Sequence, residues 1–182
     1  LICRVLSENG MSYIAYTLLL NEDFPGWLYQ VNLGATTIWE RWDSVLPDGT
    51  VSDTGLNSMN HYAYGAIVEW MYRFMCGLQP LPESPGMKRV NIAPHSDPRL
   101  DYAGCEYISA SGKYAAGWKR TVGGVEYTVE IPFDCQAVFV PEERFPVVLL
   151  DGVPCRVKEQ GILLEPGIYT ITAMEHPEQP SA

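Results

Sequence analysis

Two stretches decide how this sequence is interpreted: Gly34-Ala-Thr-Thr-Ile-Trp-Glu-Arg-Trp-Asp43 and Ser58-Met-Asn-His-Tyr-Ala-Tyr-Gly65. The first places the carboxylate of Glu40 between two tryptophans, and the second places His61 beside a tyrosine at the start of a long apolar helix. Aromatic side chains line sugar-binding sites, while carboxylates and imidazoles bind hydroxyls or transfer protons. The two stretches therefore predict a carbohydrate site.

The composition indicates a packed globular protein. The chain has 182 residues, which suffices for one large domain or two small ones, and 47% of them are hydrophobic while 19% are charged. The net charge of −10 argues against nucleic acid and anionic membranes as partners, because binding phosphate requires clustered lysine and arginine. No apolar run is long enough to span a membrane.

The cysteines point to a reducing compartment. The chain has five cysteines, and none of them shows a CxxC or Cys-His spacing that would suggest zinc. They are widely spaced, at Cys3, Cys76, Cys105, Cys135 and Cys155. We expect free thiols in a cytoplasmic bacterial protein rather than a secreted one, although Cys105 and Cys135 could pair across a sandwich. The chain opens without Met inside a helical pattern, so we expect a piece of a longer polypeptide.

The first half of the chain predicts four helices. They cover residues 2–9, 12–20, 26–32 and 63–74. Gly10 ends the first, Ser12 caps the second, and Ala63, Ile67 and Trp70 follow the helical period of the fourth. The loop at 43–57 is long for a compact domain, and loops of this length are usually functional.

From Pro80 onward the apolar period changes from 3.6 to 2, because closely spaced prolines interrupt any helix. About eight strands are predicted, at residues 89–92, 102–108, 114–119, 126–131, 137–140, 147–150, 154–157 and 169–172. Gly123-Gly124 and Asp151-Gly152 are the expected tight turns. Short strands at short spacing predict an antiparallel β-sandwich, followed by a loose tail from Glu175.

The sequence resembles the bacterial α-L-rhamnosidases, whose catalytic domain is an (α/α)6 barrel. The resemblance rests on residues 34–65, including the spacing between Glu40 and His61, and on weaker sandwich motifs such as Tyr114-Ala-Ala-Gly-Trp118. It implies that residues 1–82 are C-terminal helices of the barrel and that residues 83–182 are an antiparallel β-sandwich domain. Pro25-Gly26-Trp27 departs from the family pattern, in which a serine follows the proline.

The resemblance also implies roles for individual residues. These enzymes are inverting glycosidases, and Glu40 matches the general base that deprotonates the attacking water, while His61 matches a sugar-binding position. Trp39 is a further candidate for substrate binding, either stacking on the sugar or filling the barrel. The family's general acid lies on an earlier helix pair that nothing before Gly34 resembles, so we expect half of a catalytic pair.

Other conspicuous side chains are expected to have ordinary structural roles. Trp70, Met71 and Phe74 are core residues by period. Trp42, Tyr62 and Tyr64 are expected in the core or behind the site. His95 and His176 are expected to be solvated, and Asp43 and Asp53 have no support from the family as catalytic acids.

The expected partner is a rhamnose-containing glycan or glycoside, with no cofactor, metal, nucleic acid or membrane. The missing N-terminal part of the barrel is a second expected partner, and apolar faces left uncovered without it predict self-association. Two rival functions stay open. One is another inverting (α/α)6 glycosidase, and the other is a non-catalytic carbohydrate-binding module in which Glu40 and His61 only hold sugar.

Overall fold

The structure, a computed structural model, describes residues 2–175. The predicted loose tail beyond Glu175, with His176, lies outside the described residues. The chain divides into two compact units, Leu1–Trp70 and Met71–Ala182. The predicted domain boundary between residues 82 and 83 stays a prediction.

Unit 1 is helical. Its elements are α1 (Ile2–Glu8), α2 (Ser12–Leu19), α3 (Trp27–Asn32), a 3-10 helix (Ala63–Ala66) and α4 (Ile67–Trp70). Trp70 is 1% exposed and forms the centre of the helical core. Its ring packs edge-to-face on Tyr16 at 5.1 Å, and its indole N–H donates to the Ser7 hydroxyl at 2.8 Å. These contacts join α1, α2 and α4, as the apolar period predicts for Trp70.

The predicted cap of α2 is wrong. Ser12 lies inside the helix, and the preceding Met11 caps it without any side-chain hydrogen bond. The Ser12 hydroxyl donates instead to the Ser7 hydroxyl at 2.8 Å, whose oxygen has two lone pairs and also accepts the Trp70 indole N–H.

Glycine rather than the family's serine at position 26 has a steric reason. Gly26 is the N-cap of α3, and a Cβ there would lie 2.6 Å from the Asn21 carbonyl oxygen and 2.9 Å from that of Asp23. A serine would therefore collide with the turn as it is built in this chain.

Residues 63–75 are less regular than the predicted single helix. They run from the 3-10 helix through α4 to a π-helix, Met71–Met75. Gly65 lies in the first piece, where its low helix propensity weakens a regular α-helix.

Unit 2 contains ten strands and a short 3-10 helix at Pro85–Met87. The strands are β1 (Leu78–Pro80), β2 (Arg89–Ile92), β3 (Tyr102–Ser109), β4 (Gly112–Thr121), β5 (Gly124–Ile131), β6 (Gln136–Phe139), β7 (Val147–Leu150), β8 (Val153–Pro154), β9 (Ile162–Leu164) and β10 (Gly167–Met174). One sheet has the order β1-β2-β6-β9 and the other has the order β3-β4-β5-β10-β7-β8.

The two sheets share one apolar core, which confirms the predicted sandwich. Alternate residues of β5, among them Tyr127, face inward, and Tyr127 packs against Phe139 of β6 at 5.1 Å. Such aromatic pairs add about 0.5–1.5 kcal/mol beyond the area they bury. Two features were not predicted. The sequence missed β1 and β9, and β2 pairs with β6 in parallel rather than antiparallel.

Of the two predicted tight turns, one is confirmed and the other lies one residue earlier in the chain. Asp151 and Gly152 have positive φ and join β7 to β8 as expected. The other turn is Val122-Gly123, because Thr121 pairs with Gly124 and so places Gly124 inside the strand. A Cβ at Gly124 would lie 2.2 Å from the Ala173 carbonyl oxygen, so close strand approach explains this glycine.

All five cysteines are free. Cys105 and Cys135 therefore do not form the disulfide that the sequence left open. Among residues 2–175, no helix is long and apolar enough to cross a membrane.

His95 is half-buried, so its predicted solvation is wrong. Its backbone N–H donates to the Phe74 carbonyl at 2.8 Å, and its ring stands edge-on to the Phe74 ring at 5.7 Å. Burial lowers the pKa of His95, and this effect outweighs the attraction of the Glu142 carboxylate, which raises it. The imidazolium form is therefore disfavoured in the folded protein.

A pH dependence of stability follows from His95. Its folded pKa lies below the ordinary 6.5, so the unfolded chain takes up the proton first and stability falls as the pH drops below about 6.5. A single group limits this slope to about 1.4 kcal/mol per pH unit. Denaturant unfolding between about pH 7.5 and about pH 5.5 should show a smaller loss of stability in His95→Gln than in the unmodified chain. Equal losses in both proteins would rule out His95 as the source.

Candidate active site

Two chain segments of unit 1 lie side by side at the site. The first arm is residues 37–40 and the second arm is residues 58–61. The His61 N–H donates to the Ile38 carbonyl at 2.7 Å, and the Glu40 N–H donates to the Ser58 carbonyl at 2.9 Å. The Thr37 hydroxyl also donates to the Met59 carbonyl. The two arms therefore bring the predicted residues Glu40 and His61 into one region.

The Glu40 carboxylate is half-buried and held at one oxygen. The Ser58 N–H donates to its Oε2 at 2.8 Å. In the described part of the chain, Oε1 accepts no hydrogen bond. The neighbouring Arg41 places its Nε 3.5 Å from the Asp43 carboxylate. One oxygen of Glu40 is thus fixed and the other can accept a proton.

The orientation of His61 fixes its tautomer. Its Nδ1 accepts the Ala63 N–H at 3.2 Å, so Nδ1 carries no proton and Nε2 is the donor. The ring stacks on Tyr62 with a centroid distance of 4.8 Å and an angle of 21° between the planes. This half-exposed imidazole presents an N–H suited to an oxygen acceptor such as a hydroxyl.

The aromatic residues divide into buried and exposed ones. Trp39 is 5% exposed, so little of its ring faces solvent. Tyr62 is 87% exposed and so is not a core residue, and its ring stacks on His61 beside the site. Trp42 and Tyr64 are half-buried and stack at 3.8 Å, which agrees with a place behind the site.

A polar network that the sequence does not reveal organises the loop between the two arms. The Arg41 guanidinium donates to the Ser52 hydroxyl at 3.1 Å and to the Thr54 carbonyl. The Ser44 hydroxyl donates to Asn57 Oδ1 at 2.6 Å, and Asn57 Nδ2 donates to the Ser44 carbonyl at 3.2 Å. Serine, threonine and asparagine in a glycine-containing loop look solvated, and only their clustering at both ends of the loop could have indicated a network.

Asp43 and Asp53, the other carboxylates considered in the sequence, have different surroundings. Asp43 is engaged with Arg41, and Asp53 is exposed in the loop. Within residues 2–175, no cluster of three or more His, Cys, Asp or Glu side chains is placed to hold a metal ion.

Two cavities of unit 1 lie near the arms without including Glu40 or His61. One has a volume of about 250 Å³ and is lined by Trp27, Trp42, Tyr64 and Trp70 among others. The other has a volume of about 240 Å³ and is lined by Trp27, Gln30 and residues 35–38 among others. Neither of these cavities encloses the two predicted site residues.

Comparison with known protein families assigns both halves of the chain. Residues 1–75 match the model of the bacterial alpha-L-rhamnosidase 6 hairpin glycosidase domain. Residues 77–148 match the bacterial alpha-L-rhamnosidase C-terminal domain.

Curated relatives give the same result. An alpha-L-rhamnosidase of Alteromonas sp. (strain LOR) is 38% identical over 81% of this chain and 16% of the relative. An alpha-L-rhamnosidase of Formosa agariphila is 37% identical over 95% of this chain and 20% of the relative. The chain thus spans a fifth or less of the length of these enzymes.

Solved structures extend the similarity to the fold. The Streptomyces avermitilis alpha-L-rhamnosidase, solved in complex with L-rhamnose, superposes with a TM-score of 0.80 at 32% identity, covering 93% of this chain and 17% of that one. The helical unit, the sandwich that follows it and the two matched domain models all agree with one architecture. The chain therefore belongs to the bacterial α-L-rhamnosidase family and corresponds to a C-terminal part of these enzymes.

Proposed function

We propose that this chain supplies the water-activating half of an α-L-rhamnosidase active site, with Glu40 as the general base. The observation that carries the proposal is the pairing of the two arms, which holds Glu40 and His61 in one region. The remaining part of a six-hairpin domain would supply the general acid and close the site. This division is consistent with the absence of Glu40 and His61 from the two cavities described above.

Glu40 has the features that an inverting base requires. In inverting hydrolysis one carboxylate deprotonates a water on the face opposite the leaving group, and the two carboxyls lie roughly 6.5–9.5 Å apart. The Ser58 N–H fixes Oε2 of Glu40, so rotation of the carboxyl group is restricted and Oε1 has a defined direction. A positioned base needs no reorientation before it takes the proton from water.

His61 is the proposed sugar contact. The Ala63 N–H and the stacked Tyr62 ring fix the plane of the imidazole, and Nε2 donates to a sugar hydroxyl. Trp39 is a second proposed contact. Since its ring is 5% exposed, it would meet the sugar with an edge rather than with its whole face.

The proposed substrate is a glycan or glycoside that ends in α-L-rhamnose. Support comes from the relatives, which are named alpha-L-rhamnosidases, and from the similar Streptomyces avermitilis enzyme, which was solved in complex with L-rhamnose.

The roles of Glu40 and His61 predict different kinetic effects in an enzyme that carries these residues together with an upstream part of the six-hairpin domain. Glu40→Gln should lower kcat by about 10²–10⁴-fold with KM nearly unchanged, because the amide keeps the shape but cannot accept the proton. His61→Ala should raise KM at least as much as it lowers kcat. Steady-state hydrolysis of p-nitrophenyl α-L-rhamnoside measures both effects.

Asp53→Asn is the matched control, since it removes an exposed carboxylate from the adjoining loop without touching either arm. It should leave both constants near their original values. Turnover of Glu40→Gln at the normal rate would show that another residue is the base.

The 182-residue chain by itself should not hydrolyse p-nitrophenyl α-L-rhamnoside measurably. Protonating the leaving oxygen and activating water occur on opposite faces of the sugar ring, so one carboxylate cannot perform both in an inverting step. Release of p-nitrophenol by the purified chain, abolished by Glu40→Gln, would show that the acid lies within these residues. Full activity of a longer enzyme carrying both Glu40→Gln and His61→Ala would instead favour a non-catalytic role for this site.

A further inference from the structure

We propose that Asn57 and Ser44 form a positioning pair that holds the Ser58 N–H on the Glu40 carboxylate. This inference rests on the proposed role of Glu40 as general base. It adds two residues of the long loop, neither of which meets the substrate directly.

The pair joins the two ends of the loop beside Glu40. Asn57 Oδ1 accepts from the Ser44 hydroxyl at 2.6 Å, and Asn57 Nδ2 donates to the Ser44 carbonyl at 3.2 Å. Asn57 immediately precedes Ser58, whose N–H binds Glu40, and Ser44 follows Glu40 by one short turn. Fixing Asn57 on Ser44 therefore fixes the peptide plane that presents the Ser58 N–H.

Ser44 is buried, so water cannot replace the hydrogen bonds that Asn57 makes with it. Ser44 is 0% exposed, and its hydroxyl oxygen also accepts the backbone N–H of Arg41 at 3.2 Å. The Ser44 carbonyl receives a further N–H from Ser52 at 3.1 Å. With water excluded, the loss of Asn57 leaves the Ser44 hydroxyl hydrogen without its acceptor and the Ser44 carbonyl with one donor fewer, so the loop end must move to satisfy the hydroxyl.

Two further contacts reinforce the same frame. The buried Gln30 donates from Nε2 to the Arg41 carbonyl at 3.2 Å, and the Arg41 side chain binds Ser52 and Thr54. These contacts hold the middle of the loop, whereas the Asn57 side chain holds the residue that immediately precedes Ser58.

The loop also contains a matched control. Asp48 accepts hydrogen bonds from the N–H and hydroxyl of Thr50 at 2.9 Å and 2.7 Å in an exposed turn. Asp48→Ala therefore removes side-chain hydrogen bonds from the same loop without disturbing Ser44 or Asn57.

The test is a pH titration of the ¹⁵N-labelled 182-residue chain, followed at the Ser58 amide resonance. An amide proton bound to a carboxylate shifts as that carboxylate ionises, because the hydrogen bond becomes charge-assisted. The unmodified chain and Asp48→Ala should show this step, and Glu40→Gln should lack it. Asn57→Ala should lose at least about half of its amplitude, whereas a purely structural role elsewhere in the loop would leave the step intact.

The Trp70 indole N–H, bound to Ser7, reports whether unit 1 stays folded in each variant. If Asn57→Ala loses this signal, Ser44→Ala, which keeps the backbone carbonyl that Asn57 Nδ2 reaches, provides the second test. A full Ser58 step in a folded Asn57 or Ser44 variant would overturn the inference.

The kinetic arm separates this inference from the proposed function. In the longer enzyme, Asn57→Ala should lower kcat about tenfold or more with little change in KM. If Glu40→Gln abolishes turnover and Asn57→Ala does not reduce it, the positioning pair is wrong and the base assignment stands. If Glu40→Gln leaves turnover unchanged, the proposed function fails whatever the Ser58 amide shows.

Discussion

Backbone pairing between residues 37–40 and 58–61 is the constraint on which the proposed site depends. In the sequence, α3 precedes the first arm and the 3-10 helix follows the second. The hydrogen bonds from His61 to Ile38 and from Glu40 to Ser58 set the register between the arms. The same pairing presents the Ser58 N–H to the Glu40 side chain. A general base must be held within hydrogen-bond reach of its water, so this register links the backbone to the proposed chemistry.

The loop between the arms has a structural explanation in these terms. A loop of this length would cost conformational entropy and leave many polar groups to satisfy. The buried side chains of Ser44, Ser52 and Gln30 form hydrogen bonds with polar groups of the loop. These bonds hold the loop so that Ser58 lies beside Glu40. The sandwich of unit 2 is a separate apolar core with its own aromatic contacts, and none of the proposed chemistry is assigned to it.

Much of this could be predicted from the sequence, where local patterns carry the information. The alternation in β5 and the helical spacing around Trp70 identified core residues, and the flanking residues of Glu40 and His61 identified the two arms. The partners of polar side chains could not be predicted. Ser12 looked like a helix cap but binds Ser7, and no sequence pattern pairs Asn57 with Ser44, because such choices depend on neighbours distant in sequence. The parallel pairing of β2 with β6 is likewise a tertiary feature that no strand pattern encodes.

The most direct test of the proposed site is a crystal structure of a longer enzyme that contains these residues, bound to L-rhamnose. The proposed arrangement of Glu40 and His61 predicts that Glu40 Oε2 keeps the Ser58 N–H, that Oε1 lies about 2.6–3.2 Å from a water or hydroxyl at the anomeric carbon, and that His61 Nε2 donates to a sugar hydroxyl. A sugar bound away from both arms, or a Glu40 carboxylate turned away from the anomeric carbon, would contradict it.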